Sequence, residues 1–232
     1  MGSQLATVAS LPRHDVLARL RAQVDALEGR TRTRVVPAPP ALGAVLPDGG
    51  LRPGGAYCVS PGALLLALLA EPSRAGLWCG AVGLPELGAE AAALAGVALD
   101  RFALVPNPGS RWLSVVAALS AALPVLAVRP SGPVAQADAS RLAARLRDHE
   151  AVLLVAGPWP GAEAAISVAE PRWSGLGDGW GCLTGREVDV QVVSKRQPRP
   201  RRVRVALPGT DGRLAVLSRI ADSSASSLRA VG

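Results

Sequence analysis

The sequence predicts an α/β fold: a largely parallel sheet with helices on both faces and an antiparallel extension at its C-terminal end. Three observations lead there. Short apolar runs alternate with helical segments from Ala56 to Ala156, the pattern of a parallel sheet whose crossovers cover it. The hydrophobic residues, 49% of the chain, are mostly Ala, Leu and Val, with Phe102 and Tyr57 the only residues of their types. A core packed from aliphatic side chains suits interleaved helices and buried strands. After Gly157 the helical spacing stops and strand-like alternation takes over, as in Val188, Val190 and Val192.

Taken in order, Arg13 to Glu28 sets Val16, Leu17, Leu20, Val24 and Leu27 at helical spacing, which predicts an amphipathic helix ended by Gly29. Arg30 to Gly55 is rich in Pro and Gly and reads as a linker running into a tight turn. The expected strands are Ala56–Val59, Leu77–Val82, Arg101–Val105, Val125–Val128 and Ala151–Ala156. Between them, helices are expected at Pro61–Glu71, with Ser60 as N-cap, and at Glu86–Ala95, Ser110–Ala122 and Ala135–Asp148. Trp112, Val115, Val116 and Leu119 share one face of the third. Ala164–Glu170, Arg186–Ser194 and Arg202–Leu207 complete the sheet, and the glycine-rich stretch Trp173–Gly185 reads as a loop. The organisation is thus a helix and linker over 1–45, a core over 46–217 and a tail over 218–232, whose Ser and Ala content reads as disordered.

Charge is concentrated rather than spread. Lys195 is the only lysine among 25 basic residues, so arginine excess by itself reflects codon usage first. Lys195, Arg196, Arg199, Arg201, Arg202 and Arg204, however, lie within ten residues that contain no acid, and they supply six of the seven net positive charges. The expected placement is a turn held extended by Pro198 and Pro200, where arginines suit salt-dependent contacts with DNA phosphates. Trp173 and Trp180 could add stacking. A solvated hairpin is the competing reading.

The residues argue against several chemistries. A phosphate loop, G-x-x-x-x-G-K-[ST], with Gly62 as its second glycine would need glycine at Tyr57, lysine at Ala63 and a hydroxyl at Leu64. An ATPase also needs a carboxylate at the end of a buried strand, yet the strand Val125–Val128 runs into Arg129 and the strand Leu77–Val82 into Gly83 and Leu84. Glu86 and Glu90 read as solvated acids in a first helical turn. His14 and His149 are distant from one another, and Cys58, Cys79 and Cys182 show no C-x-x-C spacing, so no zinc site is expected. No catalytic residue, cofactor or metal is assigned. An odd cysteine count, two of them in apolar runs, fits a reducing cytoplasm. The longest apolar stretch, Ala63–Ala70, is too short for a membrane helix, and the first ten residues lack the marks of a signal peptide.

With these elements placed, the chain resembles a RecA core. The turn Gly49-Gly50-Leu51-Arg52-Pro53-Gly54 looks like the glycine-rich entry to that ATPase domain. Gly96-Val97 followed by Asp100, Phe102, Leu104, Val105 and Pro106 is similar to its third strand and the proline-containing loop after it. Ser140–Leu146, Val152–Val155 and Val188–Lys195 match later elements in order and spacing. Within that superfamily the likeness over Leu46–Leu207 is to ImuA-type proteins, in particular the short ImuA-prime form. The resemblance implies a noncatalytic accessory part in damage-induced mutagenesis and translesion synthesis, in contact with an ImuB-like, inactive Y-family polymerase homologue. It also implies that Val16, Leu17, Leu20, Val24 and Leu27 serve partner binding or self-association, as a neighbour's N-terminal helix does in RecA, with packing of this helix on its own core as the competing reading. The chain departs from RecA at the phosphate loop and at both acidic positions, so no ATP-binding residue carries over. A nucleic-acid-binding module acting through the arginine cluster, and a SulA-like inhibitor of cell division, are the other functional classes in view.

Overall fold

The computed structural model describes residues 35–176, 181–209 and 212–220. The expected helix with Val16, Leu17, Leu20, Val24 and Leu27, the tail beyond residue 220, and Trp180 lie outside the described residues.

Among the described residues nine strands form one mixed sheet in the order β3-β2-β4-β5-β1-β6-β7-β8-β9. The parallel part comprises β1 (Ala56–Val59), β2 (Cys79–Val82), β3 (Phe102–Val105), β4 (Val125–Val128), β5 (Val152–Val155) and β6 (Ala164–Ser174). Then β7 (Gly185–Ser194), β8 (Gln197–Ala206) and β9 (Ala215–Ile220) add on as antiparallel neighbours. The α/β class, the parallel half and the antiparallel extension are as the sequence leads one to expect.

Successive side chains of a strand point to opposite faces, and here both faces are covered. In β5, Val152 and Leu154 pack with one core cluster and Leu153 and Val155 with the other. The first cluster is closed by α1 (Pro40–Gly43), α2 (Ala63–Arg74) and α3 (Ala89–Ala95), the second by α4 (Trp112–Leu119) and α5 (Gln136–Asp148). Burial on both sides is why β4 and β5 read as unbroken apolar runs rather than alternating ones. Among the described residues no helix is long and apolar enough to cross a membrane.

Several expectations are corrected. The stretch read as a linker contributes Leu42, Leu46 and Leu51, all fully buried, and an antiparallel bridge joins Val36 to Leu51. Its prolines and glycines shape turns around apolar anchors, so the packed core begins near Val36 rather than at 46. Strand β9 has no clear signal in the sequence, since Ala-Val-Leu-Ser-Arg-Ile lacks clean alternation, and it carries the sheet past 217 to Ile220. Part of the expected loop is strand: β6 runs to Ser174 after a bulge at Glu170, whose φ is +47°.

Helix α2 runs beyond Glu71, through Pro72, to Arg74. The amide missing at Pro72 costs little in a last turn that is anchored elsewhere. Arg74 pairs with Glu71 at 2.7 Å and also donates to the Ala95 carbonyl at the end of α3, while Ser73 Oγ accepts from the Ala98 N–H at 2.9 Å.

Candidate functional site

In an open α/β sheet, ligands gather where the parallel strands end and the helices begin. Here that edge presents the turn after β1 and the ends of β2 and β4. The β1–α2 turn is three residues long, Ser60 to Gly62. Ser60 does not cap the helix as expected, because β6 runs alongside β1 and claims it. The Ser60 N–H donates to the Ile166 carbonyl at 3.0 Å, and its Oγ accepts from the Val168 N–H at 3.2 Å. Pro61 has no N–H to offer. The cap falls on Gly62, in the left-handed region at φ +86° and without a side-chain cap bond. The next three residues are Ala63, Leu64 and Leu65, the two leucines buried. The turn therefore offers no cation to an anion, and its one hydroxyl, Ser60, is drawn to β6 as an acceptor for the Val168 N–H.

At the neighbouring strand ends, Arg129 follows β4 and Glu86 lies in the turn after β2. They meet at 2.5 Å. Glu86 is thus not a lone acid in a helical turn, since α3 begins only at Ala89. Its own backbone N–H and the Arg129 guanidinium hold its carboxyl below the usual range. Gly83 brings the two strand ends together: its φ is +71°, and a Cβ there would sit 2.6 Å from the Arg129 carbonyl oxygen. Where a nucleotide-hydrolysing core needs a carboxylate free for Mg²⁺, this edge carries a guanidinium already engaged with the nearby acid.

The arginine cluster is dispersed by the fold. Lys195 and Arg196 form the two-residue turn between β7 and β8, but Arg199, Arg201, Arg202 and Arg204 lie on β8 itself, so the expected turn placement holds only for the first pair. Alternation along the strand then splits the arginines between the two faces. Lys195 Nζ donates to the Gly161 carbonyl at 3.0 Å, Arg196 pairs with Asp48 at 3.3 Å, and Arg201 reaches the Ala44 carbonyl at 3.3 Å. Arg204 makes a bidentate pair with the buried Asp189 at 2.6 and 2.9 Å and lies 3.9 Å from Glu170. Such fork geometry is the strong form of the interaction, and it raises the Arg204 pKa further. Arg199 and Arg202 remain exposed, with no partner among the described residues. Trp173 is 57% exposed, with the Arg186 guanidinium 5.1 Å from its ring centroid, a cation–π contact on the β6–β7 arm.

The other singled-out residues do not converge. Burial pushes the Cys79 thiol up to about 12 and raises that of Cys58, whereas Cys182 is exposed. His149 is exposed and follows α5 directly. Among the described residues no group of three or more His, Cys, Asp or Glu side chains could hold a metal ion.

A sequence model described as the MT3502 N-terminal domain matches residues 44–161, half of the chain. The chain belongs to this family. The matched span runs from the end of α1 to the loop after β5, which is the parallel half of the sheet except for β6, together with the turn and strand ends just described. In this member of the MT3502 family the antiparallel extension and the β8 arginines lie outside the matched residues. The uncharacterized protein Rv3395c of Mycobacterium tuberculosis (strain ATCC 25618 / H37Rv) is 29% identical over 160 residues, which covers 64% of this chain and 78% of that protein.

Two features escape a reading of the sequence. The Glu86–Arg129 pair joins residues far apart in sequence and depends on β2 and β4 being neighbours, which no local pattern gives. The other is a groove between α4 and α5, although the absence of any charged residue from Trp112 to Val128 is a signal that could point to that surface.

Proposed function

We propose that this chain is a noncatalytic, RecA-like scaffold of SOS-induced translesion synthesis, and that it acts by holding an ImuB-like, inactive Y-family polymerase homologue. The observation that carries the reading is Arg129. At the end of the buried strand β4, where a carboxylate would bind Mg²⁺, the chain places a cation and pairs it with Glu86. The three-residue β1–α2 turn supports the same reading, because its first amide is committed to β6 and its second residue is proline. The order of strands and helices agrees with the RecA likeness seen in the sequence, and the fold persists around an edge poorly suited to triphosphates. A core kept without its nucleotide site is suited to presenting surfaces to another protein.

The separate DNA-binding reading is less well supported. Arg196 and Arg204 are already paired with Asp48 and Asp189, and Lys195 and Arg201 donate to backbone carbonyls.

Mixing the full-length chain with an ImuB-like polymerase homologue and measuring heat of binding tests the proposal. The expected result is a complex with Kd about 1 μM or tighter, formed equally well with and without Mg²⁺-ATP and with no phosphate release. Failure to form a complex, or a complex that requires ATP turnover, overturns it.

A further inference from the structure

Helix α4 is an unusual surface helix. It carries no charged residue, yet only Trp112 and Val116 are buried; Ser114 and Ala118 are exposed, and Leu113, Val115, Ala117 and Leu119 are half-buried. A helix apolar on most of its circumference is ordinarily covered by other structure. Between it and α5 lies an open groove of about 310 Å³. Leu113, Ala117 and Ala118 line it from α4, and Leu142 from α5. Its charged border comes entirely from α5: Asp138, Arg141 and Arg145. Arg141 bonds to Asp138 at 3.1 Å while remaining 78% exposed, and Arg145 is exposed with no partner among the described residues.

We propose that this groove seats one amphipathic helix of the protein partner, its apolar stripe on α4 and a row of carboxylates facing Arg141 and Arg145. The inference rests on the reading that the chain works by holding a polymerase-like protein, and it names the surface and the chemistry of what docks there. A helix is the fitting occupant because the groove is walled by two helices, and a third packs there by laying its ridges between theirs. Small side chains at Ser114, Ala117 and Ala118 allow close approach. Arg141 and Arg145 stand one turn apart on the same face, the spacing of acids at i and i+4 on a facing helix. Two guanidinium groups against one carboxylate give the border a positive balance, which selects acid-bordered partners and rejects basic ones.

The test uses the full-length chain and the ImuB-like homologue, with binding measured for wild type, Ala118→Arg, Arg141→Glu/Arg145→Glu and, as a control on β8, Arg199→Ala/Arg202→Ala. Circular dichroism and thermal melting of each variant show that it is folded. The expected result is a loss of about tenfold or more in affinity for both groove variants, with the β8 control unchanged. If wild type binds and the folded groove variants bind equally well, the groove assignment is wrong and the scaffold reading stands. If wild type itself does not bind, both fall together. If the groove variants instead convert a dimer of this chain into monomers by light scattering, the occupant is a second copy, and the assignment to a partner helix is overturned.

Discussion

Gly83→Ala lowers the stability of this protein by about 3 kcal/mol, a fall of very roughly 6–12 °C in melting temperature for a domain of this size. The left-handed backbone at φ +71° accounts for about 1–2 kcal/mol of that for any residue with a Cβ. The rest comes from contact. The new methyl would stand 2.6 Å from the Arg129 carbonyl oxygen, a backbone atom that no rotamer change can move aside. Relief requires the ends of β2 and β4 to separate, which also strains the Glu86–Arg129 pair. Gly109→Ala is the matched control, because Gly109 has φ +64° but a Cβ added there would meet nothing within 4 Å. It should cost only the conformational part, about 1–2 kcal/mol. Equal losses in the two variants, read by calorimetry, would show that the strand ends are not held as tightly as described.

The second large effect is at high pH and belongs to Tyr57, the only tyrosine. Burial raises its phenol to about 12, against an opposing pull from the Arg52 backbone N–H, which donates to the phenol oxygen at 2.7 Å. The folded value lies above the unfolded value of 10.0, so the folded chain keeps this proton where the unfolded chain has lost it. The stability linked to it is therefore fully present below pH 10 and is lost as the pH rises through about 12. A rise from 10.0 to about 12 corresponds to a loss on the order of 3 kcal/mol. Cys79 is displaced in the same direction, so wild type alone does not isolate the phenol. Tyr57→Phe does. It should start about 1 kcal/mol less stable, because the Arg52 N–H loses its acceptor, and then fall less steeply than wild type in urea melts between about pH 9 and 12. Parallel curves for the two proteins would remove Tyr57 from the account.

Both positions lie in or beside the strands of the parallel sheet, and they show what the sequence could and could not disclose. The strands β1, β4 and β5 were legible because burial on two faces leaves a continuous apolar run. Apart from α1, which lies in the stretch read as a linker, the helices were legible, though their first turns were not: Ser60 looks like a cap, and only the neighbouring β6 explains why its hydroxyl is drawn elsewhere. Prolines and glycines around Leu42, Leu46 and Leu51 signal irregular backbone correctly, but not that these three leucines anchor it in the core. The arginine cluster misleads in a similar way. Its density in sequence is real, yet strand alternation and the partners Asp48, Asp189 and Ala44 distribute it over two faces. The missing phosphate-loop residues can be read directly, because a loop motif is local. The Glu86–Arg129 pair cannot, because it is made by topology.

A β1–α2 turn without a cation is expected not to grip a triphosphate, and thermal stabilisation by nucleotide is the measurement that decides it. A ligand bound with a Kd near ~10 μM and supplied at about 1 mM would stabilise the fold by about 2.7 kcal/mol. Melting of the full-length chain with and without Mg²⁺-ATP is expected to give superimposable curves. A clear upward shift with Mg²⁺-ATP, abolished by substitutions at Pro61 and Gly62, would show that the turn does bind a nucleotide.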